Sequence, residues 1–230
     1  MLSAGERPQP PHAPKVDSTS VPVSKAHIMP NLTNGSAHQP NANAQMQHIW
    51  VVTGPAGCGK STAGNVLRKH LGVPFLEGDD YHPESNKEKM SQGIPLTDED
   101  RWDWLISLRR AAIEALSPSD ANQTQRPAGV VVACSALKQK YRDVMRVAAY
   151  GSPNVQIHFV YLKLDEKVLL QRVTQRKSHY MKSSMVQSQL AALEEPKGEW
   201  DAITINVEGS MEDVQRNVIE AVVEKLAEYE

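Results

Sequence analysis

The sequence predicts an α/β fold, a five-stranded parallel sheet with helices on both faces. Three observations carry this. From His48 onward, short apolar runs rich in β-branched residues alternate with longer stretches of helical periodicity, and that alternation implies parallel strands joined by crossover helices. One strand-like run, Ile49-Trp50-Val51-Val52-Thr53, leads directly into Gly54-Pro55-Ala56-Gly57-Cys58-Gly59-Lys60-Ser61 and then into a helical pattern with Ala63, Val66, Leu67 and Leu71 on one side. Finally, the chemically useful residues gather just after the strands: Gly54 to Ser61 after the first, Glu77-Gly78-Asp79-Asp80 after the second, Cys134 to Lys138 after the third. Ligands of open parallel sheets bind beyond those carboxyl ends.

Residues 1–46 are dominated by Pro, Ser, Asn, Gln and His, with almost no aliphatic periodicity. Such a segment buries too little apolar surface to offset its ordering entropy and reads as a disordered tail. It has no apolar h-region and no Arg-rich amphipathic pattern, so neither a secretory signal nor a transit peptide fits. Residues 47–230 read as one domain. Its first strand is expected at about 48–53 and its helix at about 59–71. Val73 to Glu77 is a short second strand, and a short helix follows near 83–91. Thr97 or Asp98 caps a longer helix over about 98–116. Ser117 to Gly129, rich in Pro and Asn, reads as a surface loop, and Val130 to Ala133 as a buried strand. A helix is expected from Ala136 to Ala149, a fourth strand from Val155 to Leu162, and a helix from Glu166 to Gln175. A polar segment and a further helix run to Leu193. Ala202 to Val207 is the fifth strand, and Met211 to Tyr229 the last amphipathic helix.

The run from Gly54 to Ser61 fits G-x-x-x-x-G-K-[ST] without a gap. Between a strand and a helix it reads as a P-loop rather than a chance glycine turn. The expected strand order is that of the P-loop fold, 2-3-1-4-5, with a small lid at about 175–195. The glycines let backbone N–H groups close around phosphate oxygens, and the helix adds its unpaired N–H groups and dipole. Gly54, Pro55, Ala56, Gly57, Cys58, Gly59, Lys60, Ser61 and Thr62 are therefore candidate ATP contacts. Lys60 supplies charge to the β- and γ-phosphates, and Ser61 a hydroxyl to Mg²⁺.

Net charge is −2, which gives no electrostatic reason to expect nucleic acid. No apolar run approaches the ~20 residues of a membrane span. The two cysteines, Cys58 and Cys134, each lie at a strand end inside a candidate site, which argues against a disulfide framework and for a reducing compartment, the cytoplasm. Cys58 reads as a small filler of the phosphate loop; the alternative is an oxidation-sensitive thiol.

A P-loop names a nucleotide, not a reaction. Asn86-Lys87-Glu88-Lys89 lacks the Asp of a guanine reader, and the third strand has no terminal Asp to help hold a metal. Glu77 and Asp79, two apart at a strand end, point the same way. One can hold Mg²⁺ through water while the other takes the proton of an acceptor hydroxyl. Turn chemistry or helix capping is the alternative role for both.

The stretch from Gly78-Asp79-Asp80-Tyr81-His82-Pro83 through Asn86, Lys89-Met90, Gly93-Ile94-Pro95-Leu96 to Asp98-Glu99-Asp100-Arg101 resembles the signature of gluconokinases of the P-loop, shikimate-kinase-like type. Cys134-Ser135-Ala136-Leu137-Lys138 with Tyr141-Arg142-Asp143 is similar to a second block of that family. Arg176-Lys177-Ser178-His179-Tyr180-Met181-Lys182 followed by Leu193-Glu194-Glu195-Pro196 is similar to a third. The resemblance spans about 48–228. Asp103 stands where many members have Pro, Tyr180 where Phe is usual, the 117–129 loop is longer than in compact members, and the tail has no counterpart.

The resemblance implies ATP-dependent phosphorylation of D-gluconate at its 6-hydroxyl, and it points to a homodimer. A sugar acid needs cations for its carboxylate and polar groups for its hydroxyls. Arg101, Lys138 and Arg142 can supply the charge; Asp79, His82 and Ser135 can bind hydroxyls. Each has a plainer role open to it. Arg101 can pair with Asp98 or Asp100, His82 can shape the turn before Pro83, and Lys138 and Arg142, four apart, can form a solvated helix face. Arg172 and Arg176 end the helix where related kinases begin a lid, so they are expected on ATP phosphates, or else they answer the helix dipole; Lys182 is a weaker lid candidate. Competing functions are a shikimate or nucleoside-monophosphate kinase, and a non-catalytic ATP-binding protein whose tail recruits partners.

Overall fold

The computed structural model describes residues 45–118, 126–175 and 183–229. The expected tail falls outside these residues except for Gln45 and Met46. Within them the strands are β1 (Gln47–Thr53), β2 (Phe75–Glu77), β3 (Gly129–Ala133), β4 (Val155–Lys163) and β5 (Ala202–Asn206). The helices are α1 (Lys60–Leu71), α2 (Glu84–Ser91), α3 (Asp98–Ala115), α4 (Gln139–Arg146), α5 (Glu166–Gln175), α6 (Ser183–Ala192) and α7 (Met211–Leu226).

The five strands form one sheet in the order β2-β3-β1-β4-β5, all parallel. This is the order expected of a P-loop fold. β1 is central: Val51 faces Val132 on one side and Phe159 on the other. Successive strand residues point to opposite faces, and the core divides accordingly. Ile49, Val51, Val130, Val132 and Phe159 pack with Leu105 and Leu108 of α3 and Met145 of α4. Trp50, Val52, Val131 and Val160 pack with Leu67 of α1, Leu169 of α5 and Val218 and Val222 of α7. Apolar burial on both faces explains why β1 and β3 read as continuous hydrophobic runs rather than alternating ones.

Helix ends follow their local chemistry. Thr97, not Asp98, caps α3: Asp100 N–H donates to Thr97 Oγ1 at 3.3 Å, and Thr97 N–H donates to Asp100 Oδ2 at 2.8 Å, a reciprocal capping box. Asp103 lies within α3 without interrupting it. α4 begins three residues later than expected, at Gln139, because Ala136 adopts the left-handed region with φ 35°. A non-glycine residue there is uncommon and costs backbone energy, so its surroundings must hold it. Among the described residues no helix is long and apolar enough to cross a membrane.

Candidate active site

The site is built on the carboxyl ends of β1, β2 and β3. β1 delivers the phosphate loop, 54–59, and α1 starts at Lys60. The first turn of α1 carries no acidic residue, while Arg68, Lys69 and His70 lie in its last turn. Charge on the helix therefore leaves its positive N-terminal end open to an anion. Gly57 is required twice over: its φ is 90°, and a Cβ there would lie 2.5 Å from Val173 Cγ2 of α5. Lys60 Nζ donates to Pro55 O at 3.2 Å, which folds the ammonium back over the loop. Burial raises the Cys58 thiol above its ordinary value, and Cys134 is pushed up to about 12. Both thiols are free and protonated at neutral pH, which favours the filler reading of Cys58 over a reactive one.

Beside the loop is a cavity of about 360 Å³. Gly57, Gly59 and Thr62 form one wall; Leu162, Met211, Val214 and Val218 give it an apolar interior. Arg172 also lines it, with Nη2 donating to Val207 O at 2.7 Å. Arg172 is thus placed beside the phosphate loop. Arg176 and Lys182 lie outside the described residues.

The acidic corner stands at the end of β2. Glu77 is its last residue, and Gly78–Tyr81 is a 3₁₀ turn. Gly78 presses against β3, where a Cβ would meet Ala133 O at 2.3 Å. Burial raises the Glu77 carboxyl above the usual range, the Ser61 hydroxyl and Lys60 oppose that shift, and Asp79 and Asp80 add to it. Ser61, Lys60, Asp79 and Asp80 thus all lie within electrostatic reach of Glu77. The oxygen donors here, a hydroxyl and carboxylates, are the hard oxygens that Mg²⁺ takes. Among the described residues no cluster of three or more His, Cys, Asp or Glu could hold a metal ion.

A second, narrower pocket adjoins this corner, lined by His82, Leu96, Arg101, Trp104, Ser135 and Gln189 among others. His82 stacks on Trp104 with ring centroids 4.1 Å apart, and the Trp104 indole N–H donates to Gly78 O at 2.7 Å. One tryptophan thus fixes both the acidic turn and the imidazole. Burial lowers the His82 pKa to about 4, so the ring is neutral at pH 7. Buried Asn86 sets its tautomer. Asn86 Nδ2 donates to Asp100 O at 2.6 Å and lies 3.4 Å from His82 Nδ1. That leaves Nδ1 as acceptor and Nε2–H as donor.

Arg101 is held by Nη1 alone, which donates to Leu96 O at 2.5 Å, Thr97 O at 2.9 Å and Tyr141 Oη at 3.3 Å. Its guanidinium carbon lies 5.4 Å from the Tyr141 ring centroid. Among the described residues no carboxylate pairs with it; Asp100 pairs with Lys89 instead, and Asp98 with Lys138 and Lys140. Ser135 is fixed through its carbonyl, which accepts from Gly54 N–H at 3.3 Å and from the Thr53 hydroxyl. The phosphate loop and the β3 loop are thereby tied together.

Two expected substrate cations are placed otherwise. Lys138 does not line this pocket. Its Nζ pairs with Asp98 at 3.0 Å, and it borders a separate open groove with Gln139, Lys140, Asp143 and Glu194. Arg142 has a side chain only 2% exposed. Nε and Nη2 grip both oxygens of Glu199, and Nη1 donates to Ala136 O at 3.1 Å and Leu137 O at 3.2 Å. It braces the left-handed turn at Ala136 and does not line the pocket. Lys138 precedes α4, so the two do not form the solvated helix face that their spacing offered.

The sequence reading missed Asn86 as the partner of His82, the nucleotide-side wall of α7, and the pocket face of α6. A signal existed for both helices. Met211, Val214, Gln215 and Val218, and Met185, Ser188 and Gln189, recur at helical i, i+3, i+4 spacing.

Comparison with known proteins now decides the family. An AAA-domain family model matches residues 49–196. A probable gluconokinase of Schizosaccharomyces pombe is 43% identical over 181 residues, covering 78% of this chain and 90% of the relative. The chain belongs to the gluconokinase family. The thermoresistant gluconokinase of Escherichia coli is 38% identical over 176 residues, covering 76% of this chain and 93% of the relative. A crystal structure of a gluconokinase from Sinorhizobium meliloti superposes with a TM-score of 0.67 at 38% identity, over 81% of this chain and 97% of that one. The chain thus spans nearly the full length of these gluconokinases, and it is a P-loop kinase.

Proposed function

We propose that the chain transfers the γ-phosphoryl group of ATP to the 6-hydroxyl of D-gluconate, giving 6-phospho-D-gluconate and ADP. The observation that carries the acceptor is Arg101: a guanidinium with no carboxylate partner among the described residues, in a pocket with neutral His82 and with Ser135. A cation beside neutral hydrogen-bonding groups suits an anionic polyol, with the carboxylate on Arg101. Family membership supports the same acceptor.

In this reading the base and ribose of ATP take the cavity between Leu162 and α7. The phosphates lie on the N–H groups of 54–62, and Lys60 meets the β- and γ-phosphates. Ser61 and Glu77 hold Mg²⁺, which neutralises phosphate charge when bound. Glu77 must be ionised for this, and its raised pKa makes that a condition set by pH. Asp79 accepts the proton of the 6-hydroxyl as that oxygen bonds to the γ-phosphorus, and the electron pair of the broken bond leaves on ADP. His82, with Nε2–H as donor, and Ser135 bind hydroxyls. The lid is assigned to 175–195, the reaction to the cytoplasm, and the active form to a homodimer.

The test is ADP release measured by a coupled assay with gluconate, shikimate and nucleoside monophosphates as acceptors. Turnover with gluconate alone supports the reading. Turnover with shikimate or a nucleotide and none with gluconate overturns it.

A further inference from the structure

α6 turns Met185, Ser188 and Gln189 toward the acceptor pocket, while Val186, on another face, is fully buried in the core with Leu169 and Val218. Gln189 does more than line the pocket. Its Oε1 accepts a hydrogen bond from Ala56 N–H at 2.7 Å. Ala56 belongs to the phosphate loop, and the carbonyl of its neighbour Pro55 accepts from Lys60 Nζ. The contact therefore sits at the end of the loop where the catalytic ammonium lies. One side chain touches the nucleotide loop, 133 positions away in sequence, and borders the acceptor pocket.

The partner fixes which end of the carboxamide is which. Ala56 offers an N–H, so the atom that meets it is the oxygen, and the NH₂ group is directed elsewhere. Nε2 has no hydrogen-bond partner among the described residues. Half-buried at the rim of the acceptor pocket, that donor is free to exchange water for a hydroxyl oxygen of a polyol. A glutamate accepts from Ala56 N–H but has no donor and adds negative charge beside a phosphate; a lysine cannot accept.

The geometry points to Gln189 as an acceptor-orienting residue. Its Oε1 is anchored on the phosphate loop, and its Nε2 donates to a hydroxyl oxygen of the acceptor, setting the sugar-acid chain in register with the terminal phosphate. This rests on the sugar-acid reading of the pocket.

Two variants of the full chain, Gln189→Glu and Gln189→Ala, separate this role from simple anchoring of the loop. Glutamate keeps the acceptor for Ala56 N–H and loses the donor; alanine loses both. The readouts are kcat and KM for gluconate and KM for ATP, with thermal melting as the check on folding. Gln189→Ala is expected to lower kcat/KM for gluconate about tenfold. Gln189→Glu is expected to lower it at least about tenfold through a higher KM for gluconate with KM for ATP near the wild-type value, whereas a charge acting only on the phosphate would raise KM for ATP as well. Wild-type kcat/KM in Gln189→Glu, whether or not Gln189→Ala is impaired, would overturn the proposal, since the anchor alone would then suffice. Absence of gluconate-dependent turnover in the wild-type chain instead removes the acceptor reading, and the same comparison is then run on the acceptor that the panel identifies.

Discussion

The phosphate loop and the acceptor pocket are neighbours made in opposite ways. The loop is one contiguous run, Gly54 to Thr62, whose backbone takes the phosphates in the proposed reaction. Its geometry depends on a few glycines and on the strand and helix that flank it. The pocket is assembled from four segments far apart in sequence: His82 with Asn86, Arg101 with Trp104, Ser135, and the α6 face. Its side chains work only because others hold them, as Trp104 holds the Gly78 carbonyl and Arg142 holds the turn after Ser135. Damage to the loop should abolish chemistry for any acceptor, whereas damage to the pocket should weaken one acceptor and leave nucleotide binding intact.

The largest test of that division is on the loop side. Lys60→Met removes the charge that meets the terminal phosphates, and Asp79→Asn removes the proton acceptor. Each is expected to lower kcat about a thousandfold, with the fold retained by circular dichroism. Equal losses in gluconate KM without loss of kcat would erase the distinction between the two regions. Next is Arg142→Met, which among the described residues leaves Glu199 with Arg146 as its one cationic partner. Breaking a buried pair typically costs about 3–5 kcal/mol. Chemical denaturation should show a loss toward the lower end of that range, because Arg146 remains. A variant as stable as the wild type would mean that the pair supports neither the loop nor the fold.

Arg101→Met sharpens the comparison from the pocket side. Losing charge-assisted hydrogen bonds to a carboxylate costs about 1.5–3 kcal/mol, so KM for gluconate should rise about ten- to a hundredfold while KM for ATP stays near its wild-type value. A matching rise in both would show that the two regions are not separable. The smallest effect is expected at Glu77. Its raised pKa means that the folded chain binds more protons than the unfolded chain between the unfolded and folded values. Stability therefore falls as pH rises through that window. Glu77→Gln should remove this loss and raise Tm slightly at neutral pH while turnover drops. A lower Tm at neutral pH would contradict the sign.

The same contrast explains what the sequence made legible. The loop and most element boundaries could be read because they depend on local pattern: continuous apolar runs for β1 and β3, Gly59-Lys60-Ser61 before a helix, Thr97 three before Asp100; the strand order came with the P-loop fold that the loop motif names. The pocket could be read only in part. His82, Arg101 and Ser135 came from a family signature, not from periodicity. The pairing of Arg142 went unread because its partner, Glu199, is 57 residues away and no local spacing encodes it. The late start of α4 went unread because nothing in Ala136 itself signals a left-handed backbone. Gln189 went unnoticed because a glutamine on a short helix carries no motif.

The central claim is that phosphoryl transfer is directed to a sugar acid by a pocket that reads its carboxylate. Phosphorus NMR of the chain with ATP, Mg²⁺ and either D-gluconate or the neutral polyol D-glucitol tests it directly. With gluconate a phosphomonoester resonance, split by the methylene protons at C6, should grow in step with ADP, and with glucitol neither should form at a comparable rate. Equal transfer to glucitol, or ADP accompanied only by inorganic phosphate, would contradict the account.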